Sequence, residues 1–535
     1  VEASPRPEKT VSLDDLIFEE RVKRELHPLD AYPLLLDLAS VNKAPDKEET
    51  FRFKWNGLFF LTPNKEAFMA RLRIPGGQLR TFQLREIAAI AKELTTGYVQ
   101  VTTRANLQIR LIQPKDTPEV LRRIQSVGLH TRGAGADNIR NLTANPTAGV
   151  DPVELFDTMP LCHEMAQIIL NDRAFYDLPR KFNIAYDGGG LIGTIEDTND
   201  IGCKAVKVGD EIFFRIAVGG ATGHKSFARD IGVQVKPAEL NKVVSALVRV
   251  YIANGNRGDR KKARLKHLLE KWTLEKYLDE TEKVLGYKLD RVPLDPALMQ
   301  YPSQTLPHSH VGVYPQKQRG LNYVGVGIPV GQITPKQMIR IAEIADLYGS
   351  GEVRLTVWQN LIIPNVTDAF VATVEKAVRK LGFDTQQSNL RSGFIACTGN
   401  SYCKFAQSCT KEHALELMDW LDKRVKLDLP VNVHLTGCPN SCAQHYMGDI
   451  GLLGTKTKVQ GESVEGYHVF VGGGFGAQEA VGRQIFTGVA FGDLKLTLEK
   501  MLRAYLRHRS DGEGFQAFTQ RHDLNALQAM FSNEE

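Results

Sequence analysis

The chain has no run approaching the ~18 consecutive apolar residues that a membrane helix requires, although 42% of its 535 residues are hydrophobic. Its charges nearly cancel: 67 Lys and Arg against 62 Asp and Glu leave +5, too small and diffuse an excess for a nucleic-acid binder. The opening residues, 1–9, carry no apolar signal-peptide core and no lipidation motif. Cysteine is scarce, and seven in a chain this long cannot form a disulfide framework. These absences leave a chain of several domains, expected to be a monomer free of membrane and nucleic acid. An odd cysteine total with two close pairs reads as metal binding in a reducing compartment. That compartment is expected to be the cytoplasm, or a plastid stroma if a leader was trimmed from a chain whose residue 1 is not Met. The small positive balance suits an acidic protein partner or an anionic substrate.

The most informative pattern present is a long-range self-similarity. Arg73-Ile-Pro-Gly-Gly-Gln78 returns as Gly327-Ile-Pro-Val-Gly-Gln332, an offset of 254. The same offset carries Gln83, Ile87, Ala88, Ile90 and Ala91 onto Gln337, Ile341, Ala342, Ile344 and Ala345. It also carries Thr102, Asn106 and Leu107 onto Thr356, Asn360 and Leu361 without a gap. Each copy reads as strand, helix, strand: an alternating run over 68–74, helical spacing of Leu84, Ile87, Ala88 and Ala91, then alternation over 98–112. A later echo pairs Val218-Gly-Gly220 with Val471-Gly-Gly473. The pattern predicts an α/β (α+β) chain of two pseudo-symmetric halves. Its segments are an extension over 1–52, a half-repeat over 53–120, an α/β domain over 121–289, a proline-rich linker over 290–309, a second half-repeat over 310–385 and a second α/β domain over 386–535.

The copies differ in charge. Arg71, Arg73, Arg104, Gln108 and Arg110 face Gly325, Gly327, Trp358, Ile362 and Pro364 across the repeat. Arg104, Asn106, Gln108 and Arg110 are two apart, so one continuous strand would place them on one face. Such a face is costly to bury unless it meets an anion, and apolar replacement in the sister copy argues against a merely wet surface. A polyanionic ligand on the first half is therefore expected.

Four cysteines form two pairs, Cys397–Cys403 with five residues between them and Cys438–Cys442 with three. Thiolates hold zinc and iron–sulfur clusters alike. The wide first loop suits a bulky cluster better than a zinc knuckle, and on spacing alone both stay open. His434 reads either as a further ligand or as a packed side chain. Gly472-Gly-Gly-Phe-Gly-Ala477 formally fits a dinucleotide fingerprint, but only about 60 residues follow it, too few to complete such a domain. It reads as a structural turn.

Thr436-Gly-Cys-Pro-Asn-Ser-Cys442 with Cys397-Thr-Gly upstream resembles the sirohaem-containing nitrite and sulfite reductase family. So do Arg71-Leu-Arg-Ile-Pro-Gly-Gly77, Thr102-Thr-Arg104, Asp137-Asn-Ile-Arg-Asn141, Asn145-Pro146 and Leu178-Pro-Arg-Lys-Phe-Asn183. The match runs from about 53 to about 476 in the family's order. The resemblance implies that each half joins a ferredoxin-like half-domain to a sirohaem- and cluster-binding domain. It implies a [4Fe–4S] cluster on Cys397, Cys403, Cys438 and Cys442, with Cys442 also the axial thiolate of the sirohaem iron. Sirohaem carries eight carboxylates and would supply the expected polyanion, contacted by Arg104, Gln108, Arg110, Lys317 and Asn440. Arg71, Arg140, Lys181 and Asn183 fall on the family's substrate positions, and reduced ferredoxin is the implied donor. Asn183, where the sulfite enzymes resemble Lys-x-Lys, points to nitrite, as does the lack of cysteine over Gly133–Arg140. The basic run Arg257–Lys266 is a candidate ferredoxin contact or simply a solvated helix face. Cys409 stands where the family more often has an acidic residue, and packing is its expected role.

Overall fold

The computed structural model describes residues 12–61, 66–95, 97–301 and 306–534. Its strands form four five-stranded sheets in two matched pairs. One smaller sheet joins Leu58–Phe60, Phe68–Arg71, Leu107–Ile112 and Val99–Val101; its counterpart joins Gly312–Pro315, Leu321–Val326, Leu361–Thr367 and Glu352–Leu355. The fifth strand of each comes from the other half. Gln332–Ile333 pairs antiparallel with Val99 and Gln100, and Gln78–Arg80 pairs antiparallel with Glu352–Arg354. The two half-repeats are thus joined by a reciprocal strand exchange.

The helices Thr81–Glu93 and Pro335–Tyr348 pack on each other between these sheets. Leu84, Ile87, Ala88 and Ala91 of one, and Ile341, Ala342 and Ala345 of the other, are buried in one shared hydrophobic core. Thr334 and Gln337 cap the second helix reciprocally, which satisfies amide donors that a helix start leaves free.

The alternation over 98–112 does not make one strand. Val99–Val101 and Leu107–Ile112 are antiparallel partners, joined by a turn in which Ala105 is left-handed (φ 47°) and the Thr102 amide donates to the Asn106 carbonyl at 2.9 Å. The second copy repeats this turn with Gln359 at φ 61° and Thr356 bonded to Asn360 at 2.9 Å. Arg104 and Asn106 therefore sit in a turn, and only Gln108 and Arg110 are on the strand.

The larger sheets have a common plan. Thr143–Ala144, Ile184–Asp187 and Ile201–Val208 run parallel, followed by antiparallel Glu211–Val218 and Arg229–Val235. Phe394–Ala396, Val433–Thr436 and Ile450–Val459 run parallel, followed by antiparallel Glu462–Val471 and Arg483–Ala490. Each has its own core, with helices Leu240–Asn254 and Phe491–His508 contributing. Residues 12–52 of the stretch expected as an extension are packed onto the first half, where Val22 and Phe51 enter the core; residues 1–11 of it lie outside the described residues. The linker is pinned by bridges from Arg291 to Val233 and Gln300 to Lys207; residues 302–305 of it lie outside the described residues. Among the described residues no helix is long and apolar enough to cross a membrane.

Candidate functional site

A cavity of about 750 Å³ opens where the two halves meet. Arg71, Arg104, Gln108, Arg140, Lys181 and Asn183 of the first half line it, opposite Cys397, Asn440 and Cys442 of the second. The turn carrying Arg104 is held there by Asn141, whose amide nitrogen donates to the carbonyls of Ile74 (2.7 Å) and Arg104 (2.9 Å). Its carboxamide oxygen accepts from the Ile74 amide at 2.8 Å. The halves also touch directly: Thr103 Oγ1 donates to the Cys442 carbonyl at 3.0 Å, and Gln444 Nε2 to Thr198 Oγ1 at 3.1 Å.

The wall is strongly cationic, and much of its charge has no partner. Among the described residues Arg71, Arg104, Arg140 and Lys181 have no carboxylate within ion-pair distance. Arg71 donates to the Ala134 carbonyl (3.3 Å), Arg104 to Asn199 Oδ1 (2.8 Å), and Arg140 to the carbonyls of Ala134 (3.2 Å) and Ala136 (2.8 Å). Arg140 Nε and Asn183 Oδ1 are buried without a partner. Burial pushes Arg71 and Arg104 down to about 10 and Lys181 down to about 7; in all three the Cys442 thiolate acts the other way. Groups this costly to bury fit a polycarboxylate ligand that brings the missing counter-charge.

Sequence reasoning missed further cationic lining. Arg180, Arg260, Lys261, Arg264 and Lys411 also face the cavity. Arg264 donates to Asp200 Oδ2 at 2.6 Å and Oδ1 at 3.1 Å, and Asp200 Oδ2 accepts from the Asn183 amide at 2.9 Å. That pair holds the residue-183 backbone in place. Arg257 bonds Glu20 and Asp177, and Arg260 bonds both oxygens of Asp137. The arginines of the basic run are therefore committed internally; Lys261 and Lys262 are exposed, and Lys261 stands at the cavity side.

Two residues expected on a bound macrocycle are not in the lining of this cavity. Arg110 is buried behind the wall, donating to Gln100 Oε1 (2.6 Å), Gln108 Oε1 (2.7 Å) and Thr398 Oγ1 (2.8 Å). It braces Gln108 and the first cysteine loop. Lys317 is half-exposed and ion-paired to Glu154 at 2.7 Å, away from the cavity lining.

The cysteine pairs follow neighbouring parallel strands, Phe394–Ala396 and Val433–Thr436, so their loops emerge side by side. Burial pushes the Cys438 thiol up to about 11, and Cys442, Cys403 and Cys397 all add to the rise. Among the described residues no three cysteine, histidine or carboxylate groups are drawn together as they would be around a bound metal ion. His434 is fully buried, bonded through Nδ1 to the Gln444 carbonyl at 3.1 Å. It is a packed side chain. Cys162 and Cys203 are buried in the first half's core. At Cys409 the Glu465 carboxylate accepts from the backbone amide at 2.8 Å. It supplies at that helix start the negative charge that residue 409 itself lacks. The glycine-rich turn is closed by its own neighbours, since a Cβ at Gly474 would meet the Gln478 carbonyl at 2.2 Å.

A duplicated α/β scaffold, two cysteine loops emerging side by side and a cationic cavity beside them fit an iron–sulfur redox protein with a polyanionic cofactor. The model of the "Nitrite and sulphite reductase 4Fe-4S domain" matches residues 135–289 and 388–534, and that of the "Nitrite/Sulfite reductase ferredoxin-like half domain" matches 62–127 and 314–381. The chain is 36% identical over 503 residues to a ferredoxin–nitrite reductase of Synechococcus elongatus, covering 92% of this chain and 97% of that one. It is 34% identical over 510 residues to a chloroplastic ferredoxin–nitrite reductase of Arabidopsis thaliana, covering 92% and 85%. The solved structure of the Mycobacterium tuberculosis NirA protein superposes with a TM-score of 0.90 at 28% identity, covering 96% and 97%. The chain belongs to the nitrite and sulfite reductase family, whose cofactors are sirohaem and a [4Fe–4S] cluster.

Proposed function

We propose that this protein reduces nitrite to ammonia by six electrons drawn from reduced ferredoxin. Its relatives named ferredoxin–nitrite reductase support the substrate and the donor. Their cyanobacterial and chloroplastic origins support a cytoplasmic or stromal setting, where the chain would work as a monomer. When bound, the cluster and the sirohaem supply the electrons and the iron at which the anion is reduced. Cys397, Cys403, Cys438 and Cys442 would hold the cluster. Cys442 is the most exposed of the four and lies in the cavity wall, so it is the thiolate able to serve both groups. Arg104, Gln108 and Asn440 would hold the macrocycle, with Arg110 bracing Gln108.

Arg71 and Arg140 would orient the anion through their guanidinium groups. Lys181, held near neutrality by burial, can give up a proton as each N–O bond is broken. The observation that carries nitrite over sulfite is Asn183: a neutral, buried side chain with an unpartnered Oδ1 stands in the wall beside Lys181. A monoanion needs one fewer positive charge there than a dianion. The test is an absorption spectrum with iron and acid-labile sulfide analysis, followed by turnover of both anions with one donor. A higher kcat/KM for sulfite would overturn the substrate. Asn183→Lys should move the sulfite-to-nitrite ratio of kcat/KM up about tenfold, equal to about 1.4 kcal/mol; an unchanged ratio would remove the charge argument.

A further inference from the structure

Buried cations divide into two groups in this molecule. Lys23, Arg52, Arg215, Arg264 and Arg354 each face a carboxylate. Among the described residues Arg73, Arg110 and Lys411 are buried and face none. Arg73 is satisfied by the carbonyls of Arg132, Ile139 and Arg140. The other two stand beside the loop that begins at Cys397.

Lys411 is the more costly of the pair. It is 5% exposed, and its Nζ finds only two backbone carbonyls, those of Val330 and, at 3.3 Å, Ala396. It also lies in the first turn of the helix Thr410–Arg424, the end where the peptide dipoles already disfavour a cation. Burial and the Arg110 charge lower its proton affinity to about 7, and negative charge on Cys397, as a cluster ligand would carry, is the one influence that raises it. The preceding residue ties the same helix start to that cysteine: Thr410 Oγ1 donates to the Cys397 carbonyl at 2.7 Å and lies 3.6 Å from its sulfur. The Gly437 amide donates to Cys397 Sγ at 3.2 Å. Positive charge and hydrogen-bond donors thus converge on one ligand of the cluster, with no protein carboxylate to balance them.

We propose that Lys411 is a potential-setting residue for the [4Fe–4S] cluster, its buried ammonium favouring the reduced state. A cluster with four thiolates goes from a net charge of −2 to −3 when it takes one electron from the donor protein. A cation in a poorly solvated site stabilises the second state more than the first, and the cluster's negative charge would in turn hold the Lys411 proton that burial tends to release. The inference rests on the reading that the four cysteines carry the cluster.

The holoenzyme tests it through Lys411→Gln, which keeps a donor for the two carbonyls but removes the charge, and Lys411→Arg, which keeps the charge. Iron and acid-labile sulfide per chain, measured first, report whether the cluster is present at all; a wild-type protein without it would sink the cluster reading itself. Sirohaem absorbance per chain is followed in parallel. In a redox titration monitored by electron paramagnetic resonance, Lys411→Gln should show the reduced-to-oxidised ratio at fixed potential falling about tenfold or more. For a one-electron couple that is a midpoint lower by about 59 mV or more. Lys411→Arg should stay close to wild type. Loss of cluster in the glutamine variant with retention in the arginine variant also supports the charge. An unchanged midpoint in a fully loaded Lys411→Gln protein overturns the proposal. So does loss of cluster in both variants, which would make Lys411 structural, or loss of sirohaem with an unmoved cluster midpoint, which would make it a macrocycle anchor.

Discussion

The two large sheets share one strand order and differ in what stands at the ends of their parallel strands. In the second half Cys397 and the Cys438 loop follow the first two strands. At the corresponding ends of the first half stand Asn145 and Asp187, closed into a polar knot. Asp187 accepts from Asn145 Nδ2 (3.2 Å), the Gly189 amide (2.8 Å) and Thr194 Oγ1 (3.0 Å). The half-repeats show the opposite division. Arg104 faces the cavity in the first copy, whereas its counterpart Trp358 is stacked on His310 with ring centroids 5.3 Å apart. Backbone features recur in both copies while chemistry does not: one half provides the sulfur, the other most of the positive charge, with Lys411 the second half's cation at the cavity. The cavity exists only where they meet.

The comparison can be broken most severely at Cys442. Cys442→Ser should lower nitrite turnover by about 100-fold or more, in keeping with the upper range for disturbing a metal site, with iron and acid-labile sulfide reporting cluster content. Turnover within a few-fold of wild type would mean that sulfur need not come from this position. A smaller effect is expected from importing the first half's chemistry into the second. Trp358→Arg places a cation where no anion waits, and should destabilise the holoenzyme by roughly 3 to 5 kcal/mol, read as a lowered midpoint in denaturant. If stability is unchanged, the second copy's aromatic filling is not what excludes charge. The mildest test concerns Lys181. Burial holds its proton affinity down to about 7, and the carboxylates of a bound sirohaem would pull it upward. The protonated donor is therefore lost as pH rises, and kcat/KM should fall on the alkaline side, at or above pH 7. Lys181→Arg, protonated throughout, should lack that limb; a limb that survives belongs to another group.

Much of this division was legible in the residues. The ungapped offset of 254 identified the duplication because both copies need the same turn, with Ala105 and Gln359 alike left-handed. The four cysteines were legible because thiolates in close pairs have few other uses. The cationic wall was legible only in part. Arg264 depends on Asp200, 64 residues away, and Lys411 on carbonyls of Val330 and Ala396; from sequence alone each is one more basic residue on a helix. The ion pair of Lys317 was not legible either, since the pull of Glu154, 163 residues distant, has no local signature. Alternation over 98–112 suggested one strand because a hairpin keeps the same parity on both sides of its turn. The exchanged strands left no trace, because pieces as short as Gln332–Ile333 carry too few residues to show a period.

That exchange makes the halves inseparable. Each smaller sheet is completed by a strand lent from the other half, so a fragment cut within the linker would leave a bare sheet edge able to recruit other chains. Two separate copies of an ancestral unit could make the same trade only as a domain-swapped dimer. Fusion into one polypeptide makes the swap permanent, and it frees the copies to diverge without losing each other.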